Sequence, residues 1–374
     1  MGAPFHSIEE ARLRARRRLP RMVFDYIDGA AGSEGGEAEN RARLRALKLR
    51  QRALVDVQRR DLSVSLLGRD YGLPFGIAPM GMCNLARPGT DEALARAAAR
   101  HAMPIGVSTV ASTKLETMAE WAQGHAWFQL YIAGPEGEAD GLVDRAAAAG
   151  YEVLVLTVDT PVLGLRLREQ RHGFTMPFRW TPRAFLDCAV HPFWSLPTLL
   201  AGAPSLGNFE GAGGPRSAGK AETRAGVDWT VFARLRERWK GRLIVKGVTD
   251  AEDAARMAAE GADAIQVSSH GGRQLDGGLP PVAALPAIRE ALPEDVPVLY
   301  DSGLRSGEDV VRVHALGASM ALLGRPFQFA AAAAGAEGID RLVELLRDDV
   351  SITLGQIGAV AMDLDRTNLA GEPA

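Results

Sequence analysis

Short apolar runs recur along the chain from about residue 75 and alternate with alanine-rich stretches of helical character. Runs without strict apolar–polar alternation are typical of parallel strands that are covered on both faces. The predicted strands are Phe75–Ala78, Ile105–Val107, Trp127–Leu130, Val153–Val158, Leu243–Val245, Ala264–Val267, Val298–Tyr300 and Ala321–Leu323. The predicted helices between them include Thr90–His101, Gly137–Ala149, Ala251–Gly261 and Gly307–Gly317.

Eight strands that alternate with helices predict an α/β fold of the (β/α)8 TIM-barrel type. A doubly wound open sheet is the alternative, but no GxGxxG sequence follows the first strand. The residues before the barrel are predicted as a helical lead-in with a short β-like piece, and Ser7–Glu10 has the sequence of a capping box. Beyond the barrel, helices are predicted at Ile339–Asp348 and around Ser351–Gly358. We expect residues 1–374 to form a single domain, with the barrel from about residue 75.

A long insertion, Met176–Gly226, follows the fourth predicted strand. Its first part is apolar and aromatic, and it carries Phe178, Arg179, Trp180, Arg183, Phe185, Phe193 and Trp194. Its second part, Gly211–Gly226, is rich in glycine and polar residues and is expected to be mobile. Long loops at this end of a barrel are often lids. For the aromatic part, packing on the barrel or on another subunit is favoured over peripheral membrane contact through residues 176–210, which stays open.

Composition narrows the class of protein. The 374 residues are 47% hydrophobic and 24% charged with a net charge of −3, which argues against a nucleic-acid partner. Cys83 and Cys188 lie far apart in no CxxC pattern, so no disulfide framework or metal site is expected. The basic stretch Arg12–Arg18 lacks the apolar segment of a signal peptide, and no apolar run is long enough to span a bilayer. We therefore expect a cytoplasmic protein, with peripheral contact at the inner face of a membrane as an open alternative.

The motif Ser268–Asp276, SSHGGRQLD, follows the predicted strand Ala264–Val267 and places a histidine and an arginine just beyond a strand end. Histidine titrates near neutral pH and can accept a proton, and arginine can bind a carboxylate through two parallel hydrogen bonds. His270 and Arg273 together indicate a site for an acid whose neighbouring C–OH or C–H is deprotonated. A strand-capping histidine beside a surface arginine is the alternative that these two residues leave open.

Other predicted strand ends support an active site, because the catalytic residues of TIM barrels collect at the carboxyl ends of the strands. The residues at or just after these ends are Pro79, Met80, Gly81, Ser108, Gln129, Tyr131, Thr157, Asp159, Arg166, Lys246, His270, Arg273, Asp301, Gly303, Arg305, Gly324 and Arg325. Most of the ends thus carry a polar or ionisable group, which a barrel stabilised by packing alone does not need.

The last two strand ends predict a phosphate site. Gly303 and Gly324 let backbone N–H groups approach an anion, and Arg305 and Arg325 each add a guanidinium. Phosphate sites after strands seven and eight recur in this fold. Lys246 has a different expected role from the phosphate-site arginines. An unpaired lysine at a buried strand end is energetically costly, so we expect an anionic partner, and an anionic locus on a cofactor ring would be suitable.

These residues, in this order, resemble the FMN-dependent α-hydroxy-acid dehydrogenase and oxidase family, and within it the bacterial mandelate and lactate dehydrogenases. The resemblance runs from Leu19–Gly29 to Thr353–Gly358, and its most specific parts are His270–Asp276 and Trp127–Tyr131. Arg17–Pro20 and Pro192–Leu196 match the bacterial members. The resemblance implies FMN as cofactor and the oxidation of an (S)-2-hydroxy acid, mandelate-like or lactate-like, to the 2-oxo acid.

The resemblance also implies roles for single residues. His270 is implied as the base that takes the substrate proton, with Asp159 orienting it. Tyr26, Tyr131, Arg166 and Arg273 are implied at the substrate, where Arg273 chiefly holds the carboxylate and Tyr131 and Arg166 lie near the reacting group. The residues implied at the flavin are Pro79, Met80, Gly81, Ser108, Gln129, Thr157, Lys246, Ser268 and Asp301, and those at its phosphate are Gly303, Arg305, Gly324 and Arg325.

Four positions refine the expected activity. The family usually has asparagine at Ser269 and threonine or serine at Met80, so altered contacts to the flavin are expected at Met80 while the chemistry of His270 is preserved. Val110 stands where glycolate oxidase has tryptophan, which predicts medium or aromatic 2-hydroxy acids rather than glycolate. Gly81 stands where oxidase-like relatives often have alanine, which predicts a dehydrogenase. The resemblance also implies that the aromatic insertion could dock a membrane quinone pool or another electron carrier.

Three other functions stay open at this point. They are an FMN oxidase that uses oxygen, an enzyme for a larger hydroxylated substrate such as a peptide or amino-acid derivative, and a non-catalytic flavin-binding barrel. The intact His270, Asp159 and Arg273 argue against the last of these. Related enzymes imply a homotetramer.

Overall fold

The computed structural model describes residues 5–132, 137–172, 181–202, 204–209 and 226–370. An antiparallel hairpin of β1 (Val64–Leu66) and β2 (Arg69–Tyr71) precedes a closed barrel of parallel strands. The barrel strands are β3 Phe75–Met80, β4 Ile105–Ser108, β5 Ala126–Leu130, β6 Val153–Thr157, β7 Arg242–Val248, β8 Ala264–Val267, β9 Val298–Asp301 and β10 Met320–Leu323. They neighbour one another in chain order, and β10 closes the ring by pairing with β3. The predicted (β/α)8 barrel is therefore confirmed.

Helices surround the barrel and extend the chain at both ends. They are α1 Ile8–Arg18, α2 Arg21–Asp28, α3 Gly35–Ala46, α4 Thr90–Arg100, α5 Leu115–Ala122, α6 Glu138–Ala148, α7 Leu167–Arg171, α8 Pro182–Ala189, α9 Pro192–Ala201, α10 Trp229–Arg238, α11 Ala251–Ala259, α12 Pro281–Ala291, α13 Gly307–Ala315, α14 Arg325–Ala334 and α15 Ala336–Ile357. Short 3-10 helices lie at Cys83–Leu85, Gly207–Phe209, His270–Gly272 and Arg366–Asn368. The helical lead-in and its short β piece are thus as predicted.

Burial explains why the strands read as continuous apolar runs. Every residue of β4, β5, β6, β8, β9 and β10 is buried, since the helices cover one face and the barrel interior the other. The hairpin contributes Leu66 and Tyr71 to the same apolar cluster as the interior residues Trp127 and Leu299. The Tyr71 hydroxyl accepts a hydrogen bond from Trp127 Nε1 at 3.2 Å. The hairpin therefore closes the end of the barrel opposite the carboxyl ends of the strands.

Two local predictions need correction. The helices predicted at Ile339–Asp348 and Ser351–Gly358 are one helix, α15. No proline or glycine lies between the two predicted segments, and the apolar face of the helix continues through buried Val350. The capping box at α1 is only half formed. The Ser7 hydroxyl accepts from Glu10 N at 3.1 Å, but the Glu10 carboxylate accepts from His6 N rather than from Ser7 N. Smaller differences lie at strand ends, where β6 stops before Val158 and β7 continues to Val248.

The lead-in covers the carboxyl end of the barrel. The Asp276 carboxylate accepts hydrogen bonds from Ser33 N at 2.8 Å and from Gly36 N at 2.9 Å, which ties the start of α3 to the loop after β8. Gly36 is required there, because a Cβ would lie 2.5 Å from the Asp276 carbonyl oxygen. Arg273, from the same loop, donates to the carbonyl oxygens of Tyr26 and Gly29 and so holds the end of α2 over the strand ends.

The insertion after β6 contributes α8 and α9, whose apolar side chains are mostly exposed. Phe185 is 67%, Phe193 82% and Leu200 88% exposed, whereas Trp194 donates from Nε1 to the Leu85 carbonyl at 2.7 Å. Trp194 therefore packs on the barrel as expected, whereas Phe185 and Phe193 do not pack on it. Packing of these two phenylalanines on another subunit stays a prediction. The predictions made for Phe178, Arg179, Trp180 and most of Gly211–Gly226 lie outside the described residues. Within the described ranges, no helix combines the length and apolar character needed to cross a membrane.

Candidate active site

A cleft opens at the carboxyl ends of the strands and encloses about 1090 Å³, open solvent at its mouth included. The predicted site residues that line it are Tyr26, Pro79, Met80, Gly81, Tyr131, Arg166, Lys246, His270, Arg273, Asp301, Gly303, Arg305, Gly324 and Arg325. Ser108, Gln129, Thr157, Asp159 and Ser268 are outside its lining and contact one another or the lining residues. The structure thus brings all of the predicted site residues to one end of the barrel.

His270 lies between a carboxylate and a phenol. Its Nδ1 is 2.9 Å from Asp159 Oδ1, and its Nε2 is 3.2 Å from the Tyr131 hydroxyl oxygen. The rings of Tyr131 and His270 stack with centroids 6.3 Å apart. A carboxylate on Nδ1 fixes the tautomer that leaves Nε2 as the proton acceptor, which is the arrangement a general base requires.

Electrostatics keep this pair in the protonation states that proton transfer needs. Burial lowers the pKa of His270 below its ordinary value, although the Asp159 carboxylate opposes that shift, so the imidazole is neutral near pH 7. Burial alone would raise the pKa of Asp159, but the charges of His270 and Lys246 outweigh it and lower that pKa. A neutral base beside a fixed anion is set to accept a proton and to stabilise the resulting cation.

The backbone that carries His270 is strained into the left-handed region. His270 has φ 56°, followed by Gly271 at 66° and Gly272 at 73°. The Ser302 hydroxyl, from the loop after β9, holds this turn by accepting from Ser269 N at 3.2 Å and Gly271 N at 3.0 Å. Ser302 itself has φ 90°, which is unusual for a residue with a side chain. Sequence reasoning missed Ser302, although it stands inside the glycine-containing string at the end of β9.

Lys246 is buried in a small network of charges. Its Nζ donates to the Ser268 hydroxyl at 2.9 Å and lies 3.3 Å from Asp301 Oδ2 and 4.0 Å from Asp159 Oδ2. Burial opposes the charged form, but the Asp301 and Asp159 carboxylates outweigh it and raise the pKa of Lys246. Lys246 is therefore a permanent cation at the floor of the cleft. Glycine at position 247, next to Lys246, leaves room for the Asp159 carboxyl group. Gly247 has φ 103°, and a Cβ there would lie 2.5 Å from Asp159 Cγ.

A row of polar side chains crosses three neighbouring strands. The Ser108 hydroxyl donates to Gln129 Oε1 at 3.0 Å, and Gln129 Nε2 donates to the Thr157 hydroxyl at 2.9 Å. All three side chains are buried, and Ser108 and Gln129 are paired in register between β4 and β5. Each residue orients the next, so the row presents fixed polar groups of the kind that bind the edge of a flat heteroaromatic ring.

The two arginines of the proposed substrate end are held by the protein itself. Arg273 Nη1 donates to the carbonyl oxygens of Tyr26 and Gly29, both at 2.8 Å, and its Nη2 donates to Glu169 Oε1 at 2.7 Å. The same Glu169 oxygen lies 3.7 Å from Arg166 Nη1. Glu169, on the short helix α7, was not identified from the sequence. Its carboxylate fixes Arg273 and reduces the net positive charge that the cleft offers to an anion.

The predicted phosphate end contains two partly buried arginines. Arg325 donates to the carbonyl oxygens of Ile27, Gly271 and Gly29, and among the described residues it pairs with no carboxylate. Burial, followed by repulsion from Arg305 and Arg273, lowers its pKa to about 9. Arg305 is partly neutralised by Glu37 at 2.9 Å. An anion at this end would relieve the unmatched positive charge, so the donor set fits a phosphate group.

Ser269 and Met80, the two departures from the family pattern, each have defined contacts in the structure. Ser269 accepts a hydrogen bond from Asn40 Nδ2 at 2.9 Å, so a side chain of α3 reaches the position left by the shorter serine. Met80 lines the cleft, and a Cβ on Gly324 would lie 3.5 Å from the Met80 sulfur. An apolar thioether therefore lies beside Gly324 at this position of the cleft.

This combination of a TIM barrel, a phosphate-binding end, a buried lysine and a His–Asp pair beside arginines defines an oxidoreductase that binds a phosphorylated cofactor and a carboxylate substrate. The family model for FMN-dependent dehydrogenases matches residues 15–370. (S)-Mandelate dehydrogenase of Pseudomonas putida is 38% identical over 363 residues, which cover 96% of this chain and 92% of that relative. L-Lactate dehydrogenase of Caulobacter sp. (strain K31) is 41% identical over 374 residues, 97% and 98% of the two chains.

A solved structure agrees with these relatives. The crystal structure of the monotopic membrane protein (S)-mandelate dehydrogenase superposes with a TM-score of 0.93 at 37% identity, covering 98% of this chain and 100% of that one. The chain therefore belongs to the FMN-dependent dehydrogenase family. It is an FMN-dependent 2-hydroxy-acid dehydrogenase, and the cleft described above fits FMN through its permanent lysine cation and its arginine-lined phosphate end.

Proposed function

We propose that this enzyme oxidises an (S)-2-hydroxy acid of mandelate or lactate type, with His270 as the base that takes the substrate proton. The observation that carries the proposal is the position of His270, with Nδ1 at 2.9 Å from Asp159 and Nε2 toward the cleft at Tyr131. Asp159 stabilises the imidazolium that forms, and the Tyr131 hydroxyl lies where it can bond the reacting oxygen. FMN, when bound, supplies the two-electron acceptor for the reaction.

The rest of the cleft binds and orients. Arg273 and Arg166, with Tyr26, hold the substrate carboxylate and so place the hydroxyl-bearing carbon beside His270. Lys246 provides positive charge where the cofactor ring becomes more anionic. Around it we assign the cofactor contacts to Pro79, Met80, Gly81, Ser108, Gln129, Thr157, Ser268, Asp301, Gly303, Arg305, Gly324 and Arg325, all at the strand ends. We also propose that residues 1–374 act as one domain, since α1 packs on α14 and α14 packs on α15.

The size of the substrate pocket supports substrates larger than glycolate. Val110, Gly81 and Leu163 line the cleft near Tyr131, and no described tryptophan does so. A Cβ on Gly81 would lie 2.7 Å from Val110 Cγ2 and 3.7 Å from the Tyr26 hydroxyl. Glycine and valine therefore complement each other at this wall. We infer that medium or aromatic 2-hydroxy acids are the preferred substrates.

A substrate panel tests this function. Under anaerobic conditions, mandelate or a medium-chain 2-hydroxy acid should bleach the flavin absorbance with a higher kcat/KM than lactate, and lactate with a higher one than glycolate. A clear preference for glycolate would contradict the pocket argument. Bleaching by a hydroxylated amino-acid derivative and by no simple 2-hydroxy acid would favour the larger-substrate alternative, and a flavin that no such compound reduces would favour a binding protein.

The exposed apolar face of α8 and α9 supports a second proposal, that this enzyme docks peripherally on the inner face of a membrane. Phe185, Phe193 and Leu200 present their side chains to solvent, which is costly unless another apolar phase covers them. The similar solved protein is described as a monotopic membrane protein. A quinone dissolved in the membrane would then be the electron acceptor. We also propose a homotetramer, as the family resemblance implies.

The choice between dehydrogenase and oxidase chemistry can be tested after one turnover. The substrate-reduced enzyme is mixed either with oxygen or with a short-chain quinone analogue, and the return of the flavin absorbance is followed. Fast reoxidation by the quinone and slow reoxidation by oxygen is the expected result. Reoxidation by oxygen that sustains turnover, with no gain from the quinone, would identify an oxidase.

A further inference from the structure

A second pocket, away from the active site, is lined by three arginines. Arg14 and Arg18 reach it from α1, and Arg87 from the segment before α4; the remaining walls are Pro88, Gly89, Thr90, Ala93, Ala333, Ala334, Gly335, Ala336 and Glu337. We call this the arginine pocket. It shares no residue with the cleft that contains His270.

The positive charge of the arginine pocket is incompletely neutralised. Arg14 pairs with Glu10 at 2.6 Å, whereas Arg18 and Arg87 form no ion pair within the described part of the chain. Arg18 donates to the Ala333 carbonyl oxygen. Burial, then repulsion from Arg87 and Arg14, lowers the pKa of Arg18. Glu337, at the rim, is exposed and pairs with neither arginine.

The shape of the pocket keeps two guanidinium groups together. A Cβ on Gly335 would lie 3.1 Å from Arg87 Nη1, so the absence of a side chain there leaves room for the Arg87 guanidinium against this wall. Gly335 has φ 66°, which also favours glycine. Helix α4 begins at Thr90 in the opposite wall and adds the positive end of its dipole. An anion with several oxygens, such as a phosphate group, is the chemical class that this arrangement suits.

An apolar groove continues from the arginine pocket. The groove shares Arg18, Arg87 and Pro88 with it and adds Leu19, Ala86, Pro192, Phe193, Trp194, Leu196, Pro197 and Ala332. Phe193 and Leu196, which line the groove from α9, belong to the exposed apolar face described above. A charged pocket that opens into an apolar groove matches a molecule with an anionic head and a hydrocarbon tail.

We propose that the arginine pocket binds the phosphate headgroup of an anionic phospholipid, with an acyl chain along the groove formed by α9. This inference rests on the proposed membrane docking and deepens it, because it makes docking selective for anionic bilayers. The apolar face alone would bind zwitterionic and anionic bilayers alike. Cations near a bilayer surface contribute about 1 kcal/mol each on anionic lipid, so two arginines amount to about thirtyfold in affinity.

Vesicle binding of the FMN-loaded enzyme tests the proposal. Arg18→Gln/Arg87→Gln is compared with Lys240→Gln/Arg242→Gln, which removes the same charge at the start of β7, the opposite end of the barrel. Vesicles are phosphatidylcholine alone, or equal parts phosphatidylcholine and phosphatidylglycerol. We expect the first variant to lose about thirtyfold in affinity for the anionic vesicles and nothing for the zwitterionic ones, and the control to lose little. Flavin content and turnover with a soluble dye should be unchanged in both.

Other outcomes separate the possibilities. Equal binding of the wild type to both vesicles, or an Arg18→Gln/Arg87→Gln variant that binds anionic vesicles like the control, overturns the lipid site and leaves membrane docking standing. Tight binding of inorganic phosphate to the wild type, together with unchanged vesicle binding by Arg18→Gln/Arg87→Gln, would identify a soluble anion as the ligand. This result would also overturn the lipid site. If the wild type binds neither kind of vesicle, the proposed membrane docking itself is contradicted. If the double variant loses flavin, Arg87→Gln alone, at an exposed side chain, should lose about fivefold.

Discussion

The cleft and the insertion both differ from the usual pattern of apolar residues inside and polar residues outside, but in opposite ways. In the cleft, Lys246, Gln129 and Asp301 are buried although they are polar or charged, and each has a hydrogen-bond or ion-pair partner. On α8 and α9, Phe193 and Leu200 are exposed although they are large and apolar. Buried polar groups are retained when they perform chemistry, and exposed apolar groups when another surface covers them. The comparison supports the catalysis proposed for one region and the membrane attachment proposed for the other.

Removal of the base should give the largest effect in the cleft. His270→Ala keeps the arginines and Lys246 in place but leaves no group to take the substrate proton. We expect the anaerobic rate of flavin reduction to fall about 10²–10⁴-fold with FMN content unchanged, measured by stopped-flow absorbance. A variant that reduces its flavin at nearly the wild-type rate would remove His270 from the mechanism.

The corresponding change on the insertion is Phe193→Ser/Leu200→Ser. Transfer of each apolar side chain from water into the bilayer contributes about 2 kcal/mol to the binding free energy. We therefore expect vesicle affinity to fall about 10²–10³-fold while turnover with a soluble dye is unchanged. Leu54→Ser/Ile352→Ser is the matched control, because these residues are exposed and apolar but lie away from α8 and α9. Equal losses in both pairs would mean that the exposed face is not a docking surface.

The carboxylate clamp should respond more moderately. Arg273→Lys replaces a planar fork, held by Tyr26 O, Gly29 O and Glu169, with a single ammonium group. We expect KM for the hydroxy acid to rise about 10–100-fold, because a charged hydrogen bond contributes about 1.5–3 kcal/mol. The methyl ester of the substrate, which lacks the carboxylate, should show little difference between the two enzymes. An equal penalty on acid and ester would indicate a structural role for Arg273.

The smallest expected effect is steric. Gly81→Ala places a methyl group 2.7 Å from Val110 Cγ2, so we expect a loss of about 1–3 kcal/mol in the free energy of unfolding. The double variant Gly81→Ala/Val110→Ala should recover most of that stability, since the contact is removed. Urea denaturation of the four proteins in this cycle checks it. No recovery in the double variant would show that Gly81 is required for another reason.

The sequence predicted the barrel and most of the site because those signals are local. Each strand is a contiguous apolar run, and His270, Lys246 and Asp301 follow such runs directly. What the sequence missed depends on contacts through space. Asn40 reaches Ser269 from 229 positions away, and neither residue signals the other. Helix α15 is predicted as two helices, whereas the packing around buried Val350 shows that it continues as one.

Two other missed residues stand beside residues that were identified. Glu169 lies three positions after Arg166 and accepts a hydrogen bond from Nη2 of Arg273. Ser302 follows Asp301, and its hydroxyl bonds the turn after β8. Their types are ordinary for a surface helix and a loop, so composition could not distinguish them. The exposure of Phe193 was equally hidden, since aromatic residues in an insertion are more often packed.

The pH dependence of flavin reduction tests whether His270 is the base. Burial lowers the pKa of His270, so the neutral, active base persists below the ordinary histidine pKa, and kcat/KM should fall only on the acidic side of that value. Asp159 opposes this shift, so Asp159→Asn should move the acidic limb to still lower pH while reducing the rate, because the imidazolium loses its partner. Stopped-flow reduction across pH measures both. An acidic limb that does not move in Asp159→Asn, or a wild-type rate without any acidic limb, would contradict His270 as the base.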